Sequence, residues 1–317
     1  MPKSFSRRRV LRFLGVTANL GLGLVAYTTV IEPSMRLKLV NYTIQPQLWT
    51  ADCELKIAAL ADLHAGEGYM DLKRVAEIVA ETNKQKPDII VLLGDYLTSS
   101  FLLPGNLSAE EIAGELSKLE APLGVVAIMG NHDWWNDEAA LRRRHGPIQM
   151  EIALQQAGIT VLSNDARRFV KSAQPFWIAG VDSQWAFGFD KGVDDLSKTM
   201  ERITDEAPVI LLAHEPDIFP KVPERVSLTL SGHTHGGQIR IFGYSPIVPS
   251  KYGNRYAYGN IIENQKHMIV SGGLGTVGTN LSTVSKTLSR LLGPLGRQAF
   301  HPRLGVPPEI VIITVRK

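Results

Sequence analysis

The chain has 317 residues, 44% of them hydrophobic and 21% charged, a composition that suits one large or two small globular domains and argues against disorder. The net charge of +3 comes from the first twelve residues, where Lys3, Arg7, Arg8, Arg9 and Arg12 stand without an acid; the remainder sits at about −2, which excludes a broad basic face for nucleic acid. The lone cysteine, Cys53, excludes an internal disulfide and a thiolate metal cluster and is read as structural.

Residues 1–12 form a basic segment, and 13–31 an uncharged, apolar stretch of 19 residues. As a helix rising ~1.5 Å per residue, that stretch is about long enough to cross the hydrocarbon core once, with the positive cluster favouring a cytoplasmic N-terminus. The run Ser6-Arg7-Arg8-Arg9-Val10-Leu11-Arg12 resembles a twin-arginine export signal, with Val10 where Phe is commoner. No clear Ala-x-Ala cleavage site follows, so an uncleaved anchor is expected, with the main domain at the inner membrane on its periplasmic, extracytoplasmic side. Residues 32–50 read as a connector and 51–317 as the main domain.

Within that domain 55–61 reads as a buried strand. A helix follows over 71–84, with Leu72, Val75, Ile78 and Val79 on one side, and Pro87 lies beyond it. A second strand is expected at 88–93, then a helix at 108–119 begun by an N-cap Ser108 with Glu111 three residues on. A third strand at 123–129 precedes one long helix, 138–157, closed by Gly158. Further strands are expected at 160–162, 176–181, 209–213, 227–230, 268–270 and 309–315, and 281–304 reads as a surface insertion with one short helix. Helices between the early strands imply parallel crossovers, so the fold expected is a layered α/β domain with a mixed, two-sheet centre.

Polar residues collect where these strands end. The first runs into Asp62-Leu63-His64, the second into Gly94-Asp95, and the third into Gly130-Asn131-His132-Asp133; later ones reach His214 and Gly232-His233-Thr234-His235. Residues i and i+2 of an extended segment point the same way, so Asp62 with His64, and His233 with His235, are aimed together. Each fragment alone is weak. All five in order, each after a strand, place Asp, Asn and His at the carboxyl ends of the sheet, where α/β proteins build their sites.

This series resembles the calcineurin-like metallophosphoesterases, whose pattern is Asp-x-His, Gly-Asp, Gly-Asn-His-Asp/Glu, His and Gly-His-x-His. The resemblance covers about residues 50–317. Ala213-His214-Glu215-Pro216-Asp217, Ser231–Gln238 and Val306-Pro307-Pro308-Glu309-Ile310 look like a bacterial branch that carries an N-terminal membrane or twin-arginine segment. The resemblance implies a four-layer α/β/β/α sandwich of two mixed sheets, preceded by the apolar helix. It implies two divalent metal ions, one held by Asp62, His64 and His235, the other by Asn131, His214 and His233, with Asp95 bridging them. Two metals ~3.5–4 Å apart can clamp the attacking and leaving oxygens of an in-line displacement. His132 resembles the family's catalytic histidine, and Asp133 would orient its imidazole. An N/O ligand set without thiolate suits manganese, iron or zinc, and the bacterial branch puts manganese first.

The function so implied is metal-dependent hydrolysis of a phosphodiester or pyrophosphate bond at the membrane surface, on a substrate that could be lipid-linked. A UDP-2,3-diacylglucosamine-type pyrophosphatase of lipid A synthesis is an alternative that needs the cytoplasmic face; a protein phosphatase is another. A non-catalytic metal-binding scaffold is disfavoured, because every motif residue is present. No nucleic acid and no protein partner is expected. Trp134 and Trp135 could line the substrate mouth. Arg240, Lys251, Arg255 and Tyr256 could meet a phosphate, and Gly272-Gly273-Leu274-Gly275 could turn backbone N–H groups toward an anion, although a tight turn suits the glycines better.

Overall fold

The computed structural model describes residues 17, 19–66, 70–98, 107–277 and 302–317. The basic segment with its twin-arginine motif, the start of the apolar stretch and nearly all of 281–304 lie outside the described residues. Residues 19–26 are helical and continue into a π-helical segment, Tyr27–Met35, that carries Pro33. Among the described residues no helix is long and apolar enough to cross a membrane.

The strands are β1 (Lys38–Ile44), β2 (Leu55–Leu60), β3 (Ile89–Leu92), β4 (Val125–Ala127), β5 (Thr160–Val161), β6 (Asp165–Lys171), β7 (Gln174–Gly180), β8 (Val209–Leu212), β9 (Val226–Ser231), β10 (Gly259–Glu263), β11 (Lys266–Val270) and β12 (Glu309–Val315). They form two six-stranded sheets, in the orders β1-β12-β2-β3-β4-β5 and β10-β11-β9-β8-β7-β6. β2 to β5 run parallel, and so do β7, β8, β9 and β11; β12 against β2, β6 against β7 and β10 against β11 are antiparallel.

Alternation along the strands sets the layers. Ile57, Val91, Ile178, Ile210, Leu228 and Ile313 fill the space between the sheets. Ala58, Ile90 and Leu92 face the other way, onto Val75, Ile78, Ile112 and Leu116 of helices α1 (Leu72–Lys84) and α2 (Ala109–Leu116). Beyond the second sheet, Val209 and Leu211 pack on Ile218 and Phe219 of a short 3-10 turn. The result is a four-layer arrangement of two mixed sheets between helical layers. The expected caps form: the Asp71 carboxylate accepts the Arg74 N–H, and Ser108 with Glu111 makes a capping box.

Three strands escaped the sequence reading, and all three are sheet edges. β1 lies in the stretch read as a connector and pairs in parallel with β12 from Lys38↔Glu309 to Ile44↔Val315. β6 carries Arg167 and Arg168, and β10 exposes Asn260 and Ile262. An edge strand has one solvated side and no continuous apolar run, so its pattern is faint. The single helix expected over 138–157 is two, α4 (Glu138–Arg143) and α5 (Gln149–Gln156), after a short α3 (Asn131–Trp135). Arg144 ends α4 in the left-handed region at φ 63°. Pro147 then has no N–H for a helical bond and disfavours helical backbone at Gly146.

Candidate metal centre

The carboxyl ends of β2, β3, β4, β8 and β9 meet at one place, and the chain turns sharply there. Asp62, His64, Asp95, His233 and His235 all have positive φ, between 44° and 70°, a region most non-glycine residues avoid at a cost of about 1 kcal/mol or more each. Close approach explains two of the motif glycines. A Cβ on Gly130 would lie 2.2 Å from Asp95 Oδ1, and one on Gly232 would lie 2.6 Å from Asp62 Oδ2.

The side chains so aimed are buried, none more than 7% exposed. Asp62, His64 and His235 bring one ligand atom each within 4.8 Å of one another, as do Asp95, His214 and His233. His64 Nε2 is 3.0 Å from His235 Nε2, and His235 Nε2 is 3.6 Å from Asp62 Oδ1. On the other side His233 Nδ1 is 2.8 Å from Asn131 Oδ1. Asp95 joins the two sets through one oxygen: Oδ2 lies 3.5 Å from His64 Nε2 and 3.1 Å from His214 Nε2. Its other oxygen accepts the His132 N–H at 2.8 Å, which leaves Oδ2 to face the centre.

Neighbouring groups fix the orientations. His214 Nδ1 donates to the Leu93 carbonyl at 2.7 Å and His64 Nδ1 to the Leu97 carbonyl at 3.3 Å. Each ring thereby turns its Nε2 inward. The Asp62 carboxylate accepts the His233 N–H. The Asp133 carboxylate accepts the backbone N–H groups of Asp95, Tyr96 and Gly130, at 2.8, 2.8 and 2.9 Å. The sequence reading gave that carboxylate to the His132 imidazole; its contacts instead clamp the Asp95 turn to the Gly130 turn. Glu215 accepts from Ser183 Oγ and the Gln184 N–H, which seats Trp185 edge-on against His233 at 4.4 Å between ring centroids.

Burial penalises every charge in the cluster. It pushes Asp62, Asp133 and Glu215 up to about 7, and His64 down to about 3. His233 and His235 are driven well below the usual histidine range by burial first, and then by repulsion between protonated imidazoles, with His214 and with His64 respectively. Burial also acts on Asp95 and His214, but their mutual attraction outweighs it, holding Asp95 well below the carboxylate range and His214 well above its own. His233 Nε2 is buried without a hydrogen bond. Buried carboxylates and imidazoles gathered round that unsatisfied nitrogen fit divalent cations of the N/O-binding class.

The remaining candidates divide. His132 and Trp135 line a cavity of about 490 Å³ that reaches Asp95, Asn131 and His233. Trp134 is interior, its Nε1–H donating to Asp182 Oδ1 at 2.8 Å. Arg255 and Tyr256 both bind Glu263, Lys251 pairs with Asp190, and Arg240 donates to Ser245 Oγ. None of these four lines the cavity. The N–H groups of Gly272, Gly273, Leu274 and Gly275 are taken by Glu309, Ser271 Oγ and the carbonyls of Ala61 and Asp62, so this turn braces the Asp62 loop and offers no anion site.

Sequence reasoning missed Arg303, which lay in the supposed surface insertion. It is wholly buried, donates to the carbonyls of Gly272, Gly275 and Val306 at 2.9, 3.1 and 2.8 Å, and places Nη2 3.1 Å from His235 Nδ1. Burial lowers its guanidinium to about 10. Arg303→Ala is expected to destabilise the fold by about 3 kcal/mol or more, because several buried carbonyls lose their donors at once. Arg303→Lys should recover little, since one ammonium cannot span the fork. Urea unfolding of both variants measures this, and near-wild-type midpoints would refute the bracing role.

Comparison with known proteins fits this geometry. The chain is 30% identical over 294 residues to the uncharacterized metallophosphoesterase YkuE of Bacillus subtilis, covering 90% of this chain and 96% of that one. It is 29% identical over 277 residues to the phosphodiesterase YaeI of Escherichia coli, covering 86% and 93%. Among solved structures it is similar to the NAD nucleotidase NadN of Haemophilus influenzae, with 14% identity and a TM-score of 0.43 over 71% of this chain and 46% of that one, so the chain spans about half of that protein's length. Residues 55–237 match the calcineurin-like phosphoesterase family. That span begins at the strand leading to Asp62 and ends just past His235, enclosing every residue of the cluster, and the chain belongs to that family.

Proposed function

We propose that the chain is a dinuclear-metal phosphodiesterase. Asp62, His64 and His235 would hold one divalent ion and Asn131, His214 and His233 the other, with the Asp95 carboxylate shared by the two sets. The position of Asp95 Oδ2, 3.5 Å from His64 Nε2 and 3.1 Å from His214 Nε2 with Oδ1 already engaged, carries the reading. Two ions so held would polarise the phosphoryl oxygens and ease deprotonation of the attacking water. His132 stands at the cavity wall, its backbone fixed by Asp95 and its ring between those of His64 and Trp135. From there it protonates the leaving oxygen or steadies the phosphoryl group. Manganese is the first choice of metal, with iron and zinc also suited to the ligands.

Similarity to the E. coli phosphodiesterase YaeI favours diester over monoester cleavage. The apolar stretch at 13–31 supports work at a membrane surface, and the twin-arginine resemblance favours the extracytoplasmic side. The test is hydrolysis of bis(4-nitrophenyl) phosphate and of the matching monoester by metal-stripped protein, with Mn, Fe, Zn or Mg added back. Metal-restored turnover that prefers the diester is expected. Absence of turnover in protein shown to hold two ions would sink the proposal.

Metal removal should also be visible without turnover. Each ion bound to the folded chain alone, at 100 times its Kd, adds about 2.7 kcal/mol of stability. Chelation is therefore expected to lower the melting temperature by several degrees, and added Mn to restore it. A melt indifferent to chelator would mean that the cluster does not hold metal.

A further inference from the structure

The cavity above the cluster is built for more than a phosphate. Beyond the ligand residues its walls include Trp135, Trp185, Ile239, Ile247, Val277 and Pro302, with Thr234 and Gln238 as the polar exceptions beside His132. Its rim continues into a two-residue turn. Ile241 and Tyr244 exchange backbone hydrogen bonds at 2.9 and 3.0 Å, with Phe242 and Gly243 at the tip. Phe242 is fully exposed, and Ile247 and Tyr244 are 77% and 62% exposed. Phe242 also has φ 49°, at a tip that favours Asn, Asp or Gly. Exposed Phe242, Tyr244 and Ile247 at one cavity mouth form an apolar patch of the kind that marks a contact surface.

A second exposed apolar element is tied to the same place. Residues 20–25 of the N-terminal helix expose Leu20, Leu22, Leu24 and Val25. The Arg303 N–H donates to the Thr28 carbonyl at 2.8 Å. The next residue, Leu304, donates to Gln238 O and accepts from the Arg240 N–H, both at 2.8 Å. Residues 303–304 thus join the helix to the segment that rises into the Phe242 turn, and Pro302 beside them is cavity wall.

We infer that the cavity takes the long apolar chain of an amphiphilic phosphoester, and that the Phe242 turn, beside the exposed helix, seats the protein on the lipid surface that presents it. The phosphoester part rests on the phosphodiesterase reading; the lipid surface rests on the exposed apolar groups alone. Each methylene moved from water into the apolar wall strengthens binding roughly threefold to fourfold, so chain length is the variable to change.

The experiment uses the full chain loaded with Mn. Methyl and hexadecyl 4-nitrophenyl phosphate are compared as substrates, the latter in phosphatidylcholine vesicles, and flotation with those vesicles is measured for wild type and Phe242→Asp. Phe242 makes no buried contact, so the variant folds. The expected result is a kcat/KM for the hexadecyl ester at least about tenfold above the methyl ester, with wild-type flotation that falls by a similar factor in Phe242→Asp. Equal rates on both esters would overturn the apolar-chain assignment and leave the phosphodiesterase reading standing. Loss of turnover on both esters with every metal would end that reading, and flotation would still judge the surface. Flotation unchanged by Phe242→Asp, or a Phe242-dependent dimer that does not float, would overturn the lipid contact.

Discussion

Asp95→Ala is expected to lose both ions and, with them, on the order of 10³-fold or more of the activity. One carboxylate oxygen faces both ligand sets, so its removal weakens two sites at once. The variant also strips the acceptor from the His132 N–H, a buried donor that was bound at 2.8 Å; leaving it unsatisfied costs about 1–3 kcal/mol. Asp95→Asn separates the two effects. The amide oxygen can still take the His132 N–H, so the fold should hold, while the bridging anion is gone. Metal analysis and thermal melts of both variants decide the matter: two ions per chain in Asp95→Ala would refute the bridge.

His132→Ala should behave in the opposite way, with metal content near wild type and turnover down by about 10²- to 10⁴-fold. The backbone N–H that binds Asp95 survives the substitution, so the bridge stays in place. If the imidazole delivers a proton to the leaving oxygen, the loss depends on the leaving group. A nitrophenolate leaves without help and an alkoxide does not, so the deficit should be much larger for a dialkyl phosphate than for a nitrophenyl ester. His132 also lies within reach of His64 and Asp95 as a third potential ligand set. Loss of one ion in His132→Ala would reassign it to that set, and full activity would remove it from the mechanism.

The cluster was legible in the sequence because its signals are local. Each ligand follows a strand by two to four residues, and Asp-x-His or His-x-His aims two side chains from one strand end. What those side chains lean on was not legible, because the partners are remote in sequence. Asp133 touches amides 36 to 38 positions away, and Arg303 reaches His235 across 68. An arginine in a Gly- and Pro-rich stretch reads as solvated, since only the folded chain shows the ring of carbonyls waiting for it. The fold divides likewise: the central strands announce themselves by continuous apolar runs, while edge strands such as β6, with Arg167 and Arg168, carry the charges that keep an open edge from pairing further.

Five of the cluster residues hold left-handed backbone, and together that strain is about 5 kcal/mol, comparable with the whole net stability of many domains. A laboratory selection for heat resistance alone would therefore work against the site. Glycine at His64 or His235 would relax the turn and discard a ligand in one step. Screens for tougher variants of this chain should hold these five positions fixed and seek their gains elsewhere, since stability and chemistry pull there in opposite directions.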